Sequence, residues 1–159
     1  MLQKSGVPTA EDLAGITPDA VRLTKGPCAI VECFQKIPCN PCATSCPTGA
    51  IASDNDINEL PVIDWERCVG CGICIAVCPG LAIFVVDNSS DPAIVRLPYE
   101  FLPLPGEGTT VTALSREGSP IGTAKVLRVQ NSPAQDRTPI VWLEVALELS
   151  MQVRHFRLD

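Results

Sequence analysis

The chain has 159 residues, 46% of them apolar but only 4% aromatic, with a formal net charge of −6. That length holds one domain of ordinary size or two small ones, and the acidic balance argues against nucleic-acid binding through phosphate neutralisation. Nine cysteines, fifteen prolines and a single histidine turn attention to sulfur chemistry on a loop-rich scaffold. A core this poor in large side chains would gain from metal–sulfur crosslinks.

Residues 1–27 read as an N-terminal arm. Thr9 with Asp12 has capping-box spacing, and Thr17-Pro18 places an N-cap residue before a proline at the first helical position, so two short helices are expected. Met1 to Lys25 contains no apolar signal-peptide core and is broken by Pro8, Gly15 and Pro18. The longest mostly apolar stretch, Ile73 to Val86, is interrupted by Pro79-Gly80 and is too short to span a bilayer. These features predict no membrane span and a cytoplasmic, reducing setting, in which clustered cysteines read as metal ligands rather than disulfides.

Residues 28–87 carry all nine cysteines. Ala29-Ile30-Val31 predicts a brief strand leading to Cys33, followed by Cys39, Cys42, Cys46 and Pro47. Pro38 and Pro41 restrict the backbone around Cys39 and hold it extended. Ile51 to Trp65 has the form of a hairpin with the polar tip Ser53-Asp54-Asn55-Asp56, and Leu60 to Asp64 is its return strand, delivering Cys68. Then comes Cys68-x2-Cys71-x2-Cys74-x3-Cys78-Pro79, with a strand at Leu81–Val86. Gly70 and Gly72 would let this loop approach a bound group closely. Asp87 to Pro92 is a polar, turn-rich segment and the expected domain boundary.

Three cysteines at intervals of three let one loop wrap a cubane, while the fourth, on the helix that comes next, points toward a second cluster. A partner run is therefore required, and one lies 32 positions upstream: Cys39, Cys42, Cys46 and Pro47 mirror Cys71, Cys74, Cys78 and Pro79, and Ala50-Ile51 mirrors Ala82-Ile83. The copy is imperfect. Register places its first ligand at Lys36, and the nearest candidates are Cys33 and, further back, Cys28. Zinc is the rival reading of C-x2-C pairs, but two runs of this form with no histidine nearby suit iron–sulfur better.

Residues 92–159 contain no cysteine. Strands are predicted at Ala93–Leu97, Thr110–Leu114, Gly122–Val129 and Pro139–Ala146, with a turn at Arg116–Pro120; Leu147 to Arg157 suits either strand or short helix. The expected fold class is α+β: a two-cluster domain at 28–87 with a C-terminal small β-barrel or sandwich at 92–159. His155, beside Arg154 and Phe156, reads as structural. Asp54, Asp56, Glu59, Asp64 and Glu66 make an acidic patch whose default is a solvated face.

The duplicated pattern across residues 33–86 resembles the two-cluster bacterial ferredoxins and the ferredoxin-like domains of multisubunit oxidoreductases. The resemblance implies two [4Fe-4S] clusters with exchanged fourth ligands. One would be held by Cys68, Cys71, Cys74 and Cys46. The other would be held by Cys39, Cys42, Cys78 and Cys33, with Cys28 or a three-iron cluster as the alternatives at the last position. Further upstream, Lys25-Gly26-Pro27 and Glu32 to Cys42 resemble small subunits that accompany FAD-dependent amino-acid dehydrogenases of the proline, hydroxyproline and sarcosine type. That resemblance implies a hetero-oligomer in which a flavoprotein dehydrogenase carries FAD or FMN and this chain relays its electrons without a catalytic residue of its own. A freestanding ferredoxin and a structural or regulatory iron–sulfur protein are the other readings.

Overall fold

A computed structural model describes residues 2–53 and 56–159. Its N-terminal arm contains α1 (Leu2–Ser5), α2 (Ala10–Ala14) and α3 (Ala20–Thr24). The capping box at α2 forms: Thr9 Oγ1 accepts from the Asp12 amide, and the Asp12 carboxylate accepts from the Thr9 amide at 2.8 Å. The next helix starts two residues later than Thr17-Pro18 predicts. Asp19 is its N-cap, accepting from the Arg22 amide at 2.7 Å, while the Thr17 hydroxyl turns back to the Leu13 carbonyl. A carboxylate is well placed at a helix N-terminus, where it meets free N–H groups.

The cysteine-bearing part continues as β1 (Cys28–Val31), α4 (Pro41–Ser45), β2 (Ile51–Ala52), β3 (Val62–Ile63), α5 (Ile73–Val77) and β4 (Ile83–Asp87). Helices α4 and α5 begin 32 residues apart, so the sequence repeat is also a structural one. Strands β2 and β3 pair as the expected hairpin, though the return strand is confined to Val62–Ile63; Asp54 and Asn55 of the anticipated tip, and with Asp54 part of the acidic patch, lie outside the described residues.

The remaining strands are β5 (Ala93–Pro98), β6 (Thr110–Leu114), β7 (Pro120–Gln130), β8 (Ile140–Val145) and β9 (His155–Arg157). In place of a separate small barrel or sandwich, they continue the sheet begun by β1 and β4. The result is one antiparallel seven-stranded sheet, ordered β1-β4-β5-β8-β7-β6-β9. Residues 88–92 are the turn between paired neighbours, with Val86 opposite Val95 and Asp87 opposite Ile94. The sheet curls around an apolar interior that includes Val95, Leu97, Val111, Val126, Leu143, Val145 and Phe156. Curling brings its two ends together: Glu32, just beyond β1, accepts from Arg116 Nη2 at 2.6 Å and Arg154 Nε at 2.7 Å, beside β6 and β9. No strand pairing closes the circle among the described residues. The ambiguous Leu147–Arg157 segment is a short 3-10 turn at Leu147–Leu149 followed by β9.

Strands β1 and β4 position the site because both of their faces are buried. Cys28, Ile30, Phe84 and Val86 face the interior of the curled sheet. Ala29, Val31, Ile83 and Val85 face the other way, under α4, α5 and the cysteine loops. The alternation is the two-residue period of a pleated strand. Among the described residues, no helix is long and apolar enough to cross a membrane.

Candidate metal centre

Eight cysteines gather into two bays on the outer face of the β1–β4 wall. Cys33, Cys39, Cys42 and Cys78 line the first, together with Val31, Ile37 and Ile83. Cys46, Cys68, Cys71 and Cys74 line the second, against Ala29, Ile51 and the Gly70–Gly72 backbone. Each bay thus takes three cysteines from its own loop and one from the other run, with the start of α4 or α5 at its floor.

The first bay accommodates the irregular copy. Cys33 lines it, while Lys36, at the position where register would put a ligand, points outward to Glu59 at 2.7 Å. Cys28 is fully buried and lies with Ile30 on the opposite face of the wall, in the core of the sheet. Burial pushes its thiol up to about 11, against the opposing charge of Arg22.

Backbone amides converge on the sulfurs. Ala82 N donates to Cys78 Sγ at 3.4 Å, and Ala29 N donates to Cys68 Sγ at 3.4 Å. At Cys46 burial works to raise the thiol pKa, but the amides of Ile51, Thr48 and Ala50 and the Thr48 hydroxyl outweigh it and bring it below the ordinary thiol value. Of the mirrored Ala-Ile pairs, the second has a direct role: the Ala82 amide serves the fourth sulfur of its own run. Cys74 is pushed up to about 12 by burial first, then by the neighbouring Cys68 and Cys71. Burial likewise raises Cys33 and Cys42, with Cys78 and Cys39 as sulfur neighbours of both. At Cys33, Cys42 and Cys74 burial and mutual repulsion disfavour the free thiolate, and a bound polycation would reverse both effects.

The donor set fits a polynuclear cluster. Four sulfurs line each bay, and each run lends its fourth cysteine to the other bay. An exchanged fourth cysteine is the ligand pattern of paired iron–sulfur clusters.

Gly70 lines the second bay and makes a close approach on its other side as well. It has φ +63°, and a Cβ there would lie 2.6 Å from Pro27 Cβ and from the Pro27 carbonyl oxygen. The glycine lets the loop press against the entry to β1. Gly72, in the left-handed region at φ +83°, caps the start of α5.

The arginines that support the second bay carry no motif and are missed by sequence reading. Arg22 is buried and donates to the carbonyls of Trp65, Gly26, Pro27 and Cys68. Arg96 donates to the Gly70 carbonyl at 2.7 Å and lies 3.7 Å from the centre of the Trp142 ring. On a strand of alternating burial, Arg96 resembles any solvent-facing residue. His155 is distant from this chemistry: its ring packs with Tyr99, Phe101 and Phe156. Of the acidic patch, Asp56, Glu59, Asp64 and Glu66 are exposed, and Glu59 and Glu66 pair with Lys36 and Lys25.

Comparison with known proteins agrees with this geometry. The 4Fe-4S dicluster domain family matches residues 36–82, and the chain carries such a ferredoxin-like domain. The thiosulfate reductase electron transfer subunit PhsB of Salmonella typhi is 41% identical over 51 residues, covering 29% of this chain and 26% of that protein. A selenate reductase subunit of Mesobacillus selenatarsenatis is 30% identical over 123 residues, covering 74% of this chain and 38% of that protein. The electron transport protein HydN of Escherichia coli is 44% identical over 46 residues, covering 29% and 25% of the two chains. By name, these relatives are an electron transfer subunit of a reductase, a reductase subunit and an electron transport protein. The matches span between about a quarter and two fifths of the length of these three relatives. No solved structure matches.

Proposed function

We propose that this chain is an electron-transfer subunit of an oxidoreductase complex, with one [4Fe-4S] cluster in each bay. The observation that supports this reading is the division of eight cysteines into two sets of four, each completed by a cysteine from the other run. In the proposed assignment Cys33, Cys39, Cys42 and Cys78 hold one cluster, and Cys46, Cys68, Cys71 and Cys74 hold the other. Bound there, the clusters supply one-electron redox capacity. The protein's share is to fix the thiolates, donate amide hydrogen bonds to sulfur and exclude water with Ile51, Ile75 and Ile83. With four thiolates per cluster no iron is left open for substrate, so bond chemistry falls to a partner.

For that partner, the resemblance of residues 25–42 supports a flavoprotein that oxidises an amine or amino acid and carries FAD or FMN. A second reading, an oxyanion reductase as partner, is favoured by the selenate reductase match, which extends over 74% of the chain. Native co-purification followed by flavin absorbance separates the two. A partner whose flavin is bleached by an amino acid and reoxidised through this chain supports the first. A flavin-free partner oxidised by selenate or thiosulfate supports the second, and a monomer running alone supports a freestanding ferredoxin instead.

Iron and sulfide analysis with EPR of the reduced protein tests the cluster assignment. About eight irons per chain and a coupled-spin signal are expected. Cys33→Ala should lose iron from one bay, whereas Cys28→Ala should keep the full complement. Equal loss in the two variants would overturn the assignment of Cys33.

A further inference from the structure

The two bays stand in different electrostatic surroundings. Around the second, three guanidinium groups donate to backbone carbonyls of its lining: Arg22 to Cys68 at 2.8 Å, Arg96 to Gly70 at 2.7 Å and Arg67 to Thr48 at 2.6 Å. None of the three has a carboxylate partner within 4 Å among the described residues. Arg67 is exposed and strongly screened, but Arg22 is buried and Arg96 half-buried, with its Nε making no hydrogen bond. Asp87 is the acid that acts on Arg96, and it does so alongside the Cys71 sulfur. Among the described residues, the first bay has no such cations. Glu59, the charged residue of its lining, is paired with Lys36. Arg116 and Arg154 share the one carboxylate of Glu32, stand with Phe84 on the interior side of the wall and donate their other bonds to Met151, Ser150 and Val153, outside the lining.

Both arginines come from outside the duplicated cysteine region. Arg22 belongs to α3 of the N-terminal arm and Arg96 to β5 of the C-terminal strands. The two extensions that distinguish this chain from a minimal two-cluster fold thus meet on one loop, 68–70.

We propose that Arg22 and Arg96 make the Cys46/Cys68/Cys71/Cys74 bay the higher-potential of the two, so that it accepts an electron first. The inference rests on the cluster reading above. Reduction adds one negative charge and neither makes nor breaks a bond to the protein; the electron comes from a one-electron reductant, dithionite in the experiment below. Positive charge without a paired carboxylate in a poorly solvated region favours the more negative state, and Asp87 offsets part of that of Arg96. One further feature acts in the same direction: Cys71 is exposed at the mouth of this bay, while amide donation to sulfur is common to both bays, to Cys68 here and to Cys78 in the other. Arg22 and Arg96 are positioning residues, since they touch the loop and not the reacting atoms.

The test is a dithionite redox titration of the iron-replete protein, followed by EPR, on the native chain, Arg96→Gln and Arg96→Lys. Two separated potentials are expected for the native chain. In Arg96→Gln the reduced-to-oxidised ratio of the higher-potential cluster, at fixed ambient potential, should fall about tenfold, or about 59 mV for a one-electron couple. The lower potential should not move. Arg96→Lys keeps the charge but loses the ring stacking, and should hold the higher potential near its native value. A shift confined to the lower potential, or no shift in an iron-replete Arg96→Gln protein, overturns the proposal while leaving the cluster reading intact. If Arg96→Gln loses iron, the Lys variant decides: an unchanged higher potential supports a role of charge, and a fall like that expected for Gln overturns it. A native chain with fewer than about seven irons overturns both readings together.

Discussion

Glu32 receives two guanidinium groups in a space where its own side chain is 8% exposed and that of Arg154 only 4%. Burial works to raise its carboxyl pKa, but hydrogen bonds and charge from Arg116 and Arg154 outweigh that and hold it below the usual carboxylate range. Burial pulls Arg154 down to about 10, with Glu32 opposing, so the arginine remains charged at neutral pH. Removing one partner of a buried pair leaves the other charge uncompensated, at a cost of about 3–5 kcal/mol. Glu32→Gln should therefore lower the urea midpoint strongly with an unchanged slope. Lys36→Gln, which breaks the exposed pair with Glu59, should cost under about 1 kcal/mol. Similar midpoints for the two variants would show that the buried group contributes no more than a surface pair. None of this is visible in the sequence. The contacts join residues 84 and 122 positions apart, and neither arginine carries a motif.

At the scale of elements, the legible parts are those in which local chemistry repeats. The 32-residue offset places α4 and α5 and the exchange of Cys46 and Cys78 between bays, and one of the mirrored Ala-Ile pairs supplies the Ala82 amide to Cys78. The start of α3 was displaced because Thr17 and Asp19 both suit an N-cap, and the carboxylate took the position. Gly70 has a second neighbour besides the bay it lines, because a glycine announces a close approach but not everything that it approaches. That neighbour is Pro27, which strand β1 brings there from 43 positions upstream. Gly70→Ala combines a positive φ with a clash against backbone, which cannot move aside as a flexible side chain could. The loop should shift and the second bay should lose iron on purification while the first retains it, leaving about four irons per chain. A full complement in this variant would show that loop 68–72 has more freedom than its packing suggests.

For the molecule as a whole, the sequence marked a boundary at 87–92 that in the fold is a turn within one sheet. Polar turn residues signal a reversal of the chain, but a hairpin and a domain linker use the same ones. The pairing of the next strand decides between them, and strand pairing is not written locally. The continuity has a measurable effect. The sheet interior is built largely from β5–β9 and draws on none of the eight bay cysteines except through contact with Cys68, whereas the layer over the outer face is made of the bays themselves. Removing iron with a chelator should therefore expose amides across 33–80 to hydrogen exchange while those of β5, β7 and β8 stay protected. Loss of protection across all strands at once would mean that metal and sheet form a single cooperative unit.

The pleat of β1 also sorts thiols by parity. Cys28 and Cys33 are an odd number of residues apart, and Cys28 shares its side of the strand with Ile30 while Cys33 joins the bay beyond Val31. A slip of one residue in the pairing of β1 with β4 would exchange the two sides, bringing Cys28 out to the iron and driving Ala29 inward. Two apolar layers guard against that slip, since Ile30 and Val31 must each find their own side of the wall. A ninth thiol can thus sit one strand position from the amide that serves Cys68 without competing for metal. An odd-length insertion in β1 would remove that discrimination, whereas an even-length one would preserve it.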